Sequence, residues 1–117
     1  MKDLFQTGHP SLLDEWTRGV PVRESLNVEF AIVEERVADL VLLLEDESIL
    51  HIDFQSTNHR DMVYRQGIYG LMIGQKYRRQ VRQVCLYTGQ PKMRMAESLD
   101  LGEIQVSYRL MDIREIE

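Results

Sequence analysis

Two acidic residues stand where buried strands ordinarily carry none. Asp39 interrupts Val37-Ala38-Asp39-Leu40-Val41-Leu42-Leu43-Leu44, a run apolar at odd and even positions alike, so a strand built from it is covered on both faces. Asp53 lies in the following stretch, Ile49-Leu50-His51-Ile52-Asp53-Phe54-Gln55. A buried carboxylate needs a metal ion, a basic side chain or another polar group in place of the water it has lost. Two carboxylates together suit a hard divalent cation, which prefers oxygen ligands, keeps several waters and can deliver one as hydroxide. Taken alone, His51, Asp53 and Gln55 also read as the wet side of an amphipathic strand, with His51 a surface histidine. Asp39 in its apolar run tips the balance toward a site.

The parity of the turn between the two runs decides whether the acids meet. A two-residue turn, Asp46-Glu47, sets Asp39 opposite Phe54 and sends the aspartates to opposite faces. A three-residue turn, Asp46-Glu47-Ser48, sets Asp39 opposite Gln55 and Val41 opposite Asp53, and both acids then share a face. The expectation is the odd-numbered turn, or a bulge that restores its parity.

The elements that must hold this hairpin follow from periodicity. Residues 9–18 have helical spacing, with Leu12, Leu13 and Trp16 on one side and Gly19 as a stop. Alternation over 25–34 predicts a strand, and 37–45 and 48–56 complete a three-stranded meander. A second helix starts at Thr57 or Asn58 as cap, with Asp61 in its first turn, and runs to about Arg79. Gly67, Gly70 and Gly74 share one of its faces, a sign of close packing on the sheet or a partner helix. A fourth strand spans about 80–87, Thr88-Gly89-Gln90-Pro91 has turn chemistry, and 104–110 alternates as a fifth. This order implies an α/β (mixed α+β) fold with one central sheet and helices on its faces.

At 117 residues, with 44% hydrophobic and 28% charged, the chain suits a single domain over 1–117. It stops as a further element begins at Asp112-Ile113-Arg114-Glu115-Ile116-Glu117, which raises the expectation of a C-terminal extension. No run reaches the roughly 18 apolar residues of a membrane span, and the N-terminus lacks a signal-peptide core, so no membrane association and a cytoplasmic location are expected. Cys85, the single cysteine, sits in Val84-Cys85-Leu86-Tyr87 and reads as a buried thiol. The formal net charge of −5 speaks against a nucleic-acid partner, yet residues 76–94 carry six basic side chains (Lys76, Arg78, Arg79, Arg82, Lys92, Arg94) and no acid. A solvated basic edge and a DNA-binding edge both fit that distribution.

Asp39, the triplet Asp53-Phe54-Gln55 with Ser56, Arg65 and Tyr69 on the next helix, and the strand Val84–Tyr87 together resemble the PD-(D/E)XK nuclease superfamily. Within it the chain is similar, over residues 22–112, to the recombination-promoting nuclease (Rpn) and YhgA-like transposase group. The resemblance implies a restriction-endonuclease-like αβββαβ core and a DNA endonuclease dependent on Mg2+ or Mn2+. Asp39 and Asp53 would then be metal ligands, joined by the Phe54 carbonyl. Gln55 would occupy the superfamily's lysine position, and Glu15 its additional acid on the first helix. Arg65, Tyr69, Lys76, Arg78 and Arg79 would bind substrate. Gln55 can orient a water or phosphate oxygen but brings no positive charge, so Arg65 is the candidate to supply it. Asp53 replaces the more usual glutamate. Two other classes remain open: a nuclease-like domain that binds DNA or a recombination partner without cutting, and an assembly module that homodimerises through the glycine face and basic edge.

Overall fold

The computed structural model describes residues 10–26 and 38–116. Its elements are α1 (Pro10–Thr17), β1 (Val22–Leu26), β2 (Ala38–Leu44), β3 (Ile49–Gln55), α2 (Met62–Tyr77), β4 (Val81–Tyr87), β5 (Ser98–Leu101), β6 (Ile104–Ser107), β7 (Arg109–Asp112) and a 3-10 turn at Ile113–Glu115. The strand expected over 25–34 coincides with β1 only at Ser25 and Leu26, and its remainder lies outside the described residues. No described helix is long and apolar enough to cross a membrane.

Five strands form a mixed sheet in the order β1-β2-β3-β4-β7, with β1–β3 an antiparallel meander and β3, β4 and β7 parallel. Parallel neighbours require a crossover, and α2 provides it between β3 and β4. Even-numbered residues Leu42, Leu44, Leu50, Ile52, Val84 and Leu86 pack with Leu12 and Trp16 of α1. Odd-numbered Val41, Leu43 and Ile49 pack with Tyr69 and Ile73 of α2. Each buried aliphatic side chain contributes about 1.5–3 kcal/mol relative to leaving it in water, so this parity is firmly held. Cys85 is fully buried and unoxidised, as its setting implied.

The turn has odd parity but sits one residue earlier than 46–48. Leu44 and Ser48 pair through Leu44 N–H to Ser48 O at 2.9 Å, and Glu47 N–H returns to Leu44 O at 2.9 Å, leaving Glu45-Asp46-Glu47 as the loop. Glu47 adopts φ +73°, the left-handed residue that closes three-residue hairpins. Asp46 Oδ1 accepts from Ser48 N at 3.0 Å and Ser48 Oγ at 2.6 Å. That contact draws Ser48 out of the turn and makes it the first paired residue of the returning strand.

Two further boundaries differ from the sequence expectation. α2 begins at Met62 behind Asp61, with no side-chain cap. Asn58 is used elsewhere: its amide donates to Lys92 O at 2.9 Å and accepts from Arg94 N at 2.6 Å. The strand expected over 104–110 breaks at Tyr108, so that β6 pairs with β5 in a separate two-stranded sheet while β7 joins β4. The alternation runs through the break unaltered because both halves alternate. Finally, the glycine face of α2 is filled by this chain itself. A Cβ on Gly67 would lie 2.9 Å from Val106 Cγ2, and one on Gly70 would lie 2.7 Å from Gln83 Nε2. Close packing within the chain explains Gly67 and Gly70.

The Ser48 hydrogen bonds hold the Asp46 carboxyl below the usual carboxylate range. A lowered folded pKa gives stability that is present above the ordinary value of about 3.9 and is lost as pH falls through the lowered one. Asp46→Ala should therefore lower the melting temperature at neutral pH, with the gap closing in acid. Equal melting curves at pH 7 would detach the register from this contact.

Candidate functional site

The β2–β3 register pairs Asp39 with Asp53, Val41 with His51 and Leu43 with Ile49. Asp39 thus faces Asp53 rather than Gln55, a two-residue correction that follows from the earlier turn and brings the acids closer than expected. Hydrogen-bonded and non-hydrogen-bonded pairs alternate from Leu44–Ser48, which makes Asp39–Asp53 a non-hydrogen-bonded pair, the type whose Cα atoms approach to about 4.5 Å. Phe54 stands across from Ala38 at a hydrogen-bonded position, so its carbonyl serves the ladder.

The wet-strand reading of His51, Asp53 and Gln55 is overturned, since every residue of β3 is buried. What covers that face is a polar layer from α2 and β4. Asp53 is fully buried, and its two oxygens accept from Gln55 Nε2 at 3.2 Å and Gln66 Nε2 at 3.1 Å. Gln66 is fully buried as well, and its Oε1 meets no hydrogen-bond donor among the described residues. An unmet buried acceptor costs about 1–3 kcal/mol. Arg65 is buried with its guanidinium carbon 5.4 Å from the centre of the Tyr69 ring, and Tyr69 meets His51 edge-on at 6.4 Å. His51 Nδ1 lies 2.8 Å from Gln83 Oε1, while Gln83 Nε2 donates to the Gln66 carbonyl at 2.9 Å. Because that carbonyl only accepts, the Gln83 amide is oriented with Oε1 toward His51, whose Nδ1 is the donor in that contact.

Arg65 and Tyr69 thus come to the Asp53 face, as their positions one helical turn apart suggested. Gln66 was missed. Its signal was the spacing Met62, Gln66, Tyr69, Ile73, a single stripe of α2 in which one amide replaces an apolar residue.

Other expected site residues lie elsewhere. Glu15 belongs to α1 on the opposite face of the sheet, where it pairs with Arg109, and it does not join Asp53. Arg79 pairs with Glu47 at the hairpin tip at 2.9 Å, and Lys76 lies over the Tyr77 ring at 5.4 Å. Arg78 ends α2 in a left-handed conformation. The tip is six residues of strand from Asp53, roughly 20 Å, so Lys76, Arg78 and Arg79 do not gather around Asp53. Arg82 donates to the carbonyls of Trp16 and Thr17 on the α1 face, at 3.0 and 3.5 Å.

The basic segment reaches the site end only through Lys92 and Arg94. Both are exposed, in the loop that Asn58 fastens just beyond Gln55. Tyr87 Oη donates to Pro91 O at 2.6 Å, and Arg114 donates to Gln90 O and Pro91 O while pairing with Asp112 at 2.8 Å. That pairing keeps the Asp112 carboxyl below its ordinary range.

A divalent cation of the Mg2+ or Mn2+ kind would look for oxygen donors here. The register sets two carboxyl-bearing residues opposite each other, and Gln66 Oε1, one amide away from Asp53, is a buried oxygen unmet among the described residues. Among the described residues no three His, Cys, Asp or Glu side chains gather, so amide, backbone and water oxygens would complete the set. No family model, curated protein or solved structure matches this chain.

Like charges directly opposed across a strand pair are destabilising by about 0.2–1 kcal/mol. Asp39→Asn should therefore raise the melting temperature in a chelator, and if the two acids share a cation it should also remove any rise on adding Mn2+. A variant less stable in chelator, yet still stabilised by Mn2+, would show that the two acids do not share a site.

Proposed function

We propose that this chain is a PD-(D/E)XK-type domain that hydrolyses DNA phosphodiester bonds with Mg2+ or Mn2+, related to recombination-promoting nucleases and YhgA-like transposases. The observation that carries this reading is the direct opposition of Asp39 and Asp53 at a close strand pair with Gln55 beside them. The run α1-β1-β2-β3-α2-β4 supports a restriction-endonuclease-like αβββαβ core. Asp39 and Asp53 would hold the cation, which would supply a more acidic bound water and offset phosphate charge. Gln55 donates to Asp53 and so positions that carboxylate. Arg65 brings the positive charge that the superfamily's lysine would have supplied, and Lys92 and Arg94 hold the DNA backbone as phosphate contacts.

A second reading, a domain that binds DNA without cutting it, draws support from Gln55 itself, whose amide is engaged with Asp53 and carries no charge. Plasmid nicking with Mg2+ or Mn2+ separates the two. Asp39→Ala and Asp53→Ala should each reduce cleavage at least about 100-fold, the scale of a lost electrostatic stabiliser. Lys92→Ala with Arg94→Ala should weaken DNA binding and flatten its salt dependence, whereas Arg78→Ala with Arg79→Ala should change neither. Binding without nicking would favour the non-cutting domain, and cleavage that survives Asp53→Ala would contradict the catalytic reading.

A further inference from the structure

Gln66 occupies a stripe of α2 that is otherwise built for apolar packing. Met62, Tyr69 and Ile73 are its neighbours on that stripe, and all are buried. Leucine or methionine would fill the position without leaving a polar atom stranded, so a glutamine there calls for a partner. Half of its amide has one, since Nε2 reaches Asp53 Oδ2 at 3.1 Å. The other half does not, since Oε1 is buried with no donor among the described residues. Turning the amide over gives no relief, because it would set Oε1 against the Asp53 carboxylate. The residue is also held from behind. Its carbonyl accepts from Gln83 Nε2 at 2.9 Å, and Gln83 can approach because Gly70 has no side chain to block it.

Resting on the cation reading above, we propose that Gln66 is a positioning residue of that cation site: Nε2 fixes Asp53, and Oε1 accepts a hydrogen bond from a water of the cation's shell. A small divalent cation keeps several waters, and its charge makes their O–H groups strong donors. Groups that orient the ligands of a metal commonly set its affinity by 10- to 100-fold. Gln66 deepens the site on the helix side, where the two aspartates of the hairpin supply nothing.

The test is calorimetric titration of Mn2+ into the whole chain, at several pH values, for the wild type, Asp53→Asn, Gln66→Met and Gln66→Glu. Gln66→Met should fold and bind Mn2+ about 10- to 100-fold more weakly. Gln66→Glu keeps the size of the side chain, so it serves even where the methionine variant does not fold. Protonated, it shares Asp53's oxygen; the cation displaces that proton, so its Mn2+ affinity should climb with pH more steeply than the wild type's. Wild-type affinity in Gln66→Met, or a wild-type pH profile in Gln66→Glu, overturns the role of Gln66. If Asp53→Asn nonetheless abolishes binding, the cation reading survives that failure. Absence of Mn2+ binding by the wild type overturns both.

Discussion

Two carboxyl groups at directly opposed positions of a strand pair, one of them shut away from water, are tolerable only with a counter-ion, a shared proton or a shell of donors. The rest of the molecule is arranged around that demand. β3 is buried along its whole length, so Asp53 has no solvent to fall back on, and the amides of Gln55 and Gln66 take up its oxygens. Those amides are neutral. They satisfy hydrogen-bond geometry without bringing charge of their own. Arg65, next to Gln66 on α2, is buried with its guanidinium over the Tyr69 ring.

The sheet sorts its two faces by parity. Even positions feed an apolar layer under α1, and odd positions feed a layer under α2 that is apolar at the hairpin end and polar toward Asp53. The gradient along α2 mirrors this, from Arg65 and Gln66 near its start to Ile73 further on. Charge follows the same axis. Arg79 is spent on Glu47 at the tip, Arg82 on the end of α1, and only Lys92 and Arg94 reach the end where Asp53 and Gln55 lie. A basic segment that looks continuous in the chain is thus divided by the parallel crossover into groups with different partners.

The sequence disclosed what depends on local pattern. Parity of the hairpin, the burial of Cys85, the stop at Gly19 and the approach of Arg65 and Tyr69 were all legible. The register was not, because it turns on which of two neighbouring residues Asp46 captures, and Asp46 to Ser48 is a contact that composition does not rank above its alternatives. Tyr108 hid a strand break, since alternation says nothing of which sheet a strand joins. Glu15 was misplaced because the face on which α1 packs is decided by Leu12 and Trp16 against even-numbered positions. Gln66 was overlooked for a different reason. A lone amide in an apolar stripe acquires meaning only when the opposite wall is known to be acidic.

The central claim is that Asp39 and Asp53 share one divalent cation at the end of the hairpin remote from its turn. Paramagnetic broadening of backbone amide signals during a Mn2+ titration locates the ion without reference to activity. The account requires signals from residues 39–40, 53–55 and 65–66 to vanish first, while those of Asp46 and Glu47, roughly 20 Å away along the strand, persist. Broadening that begins at the acidic turn, or spreads evenly over the surface, would contradict it.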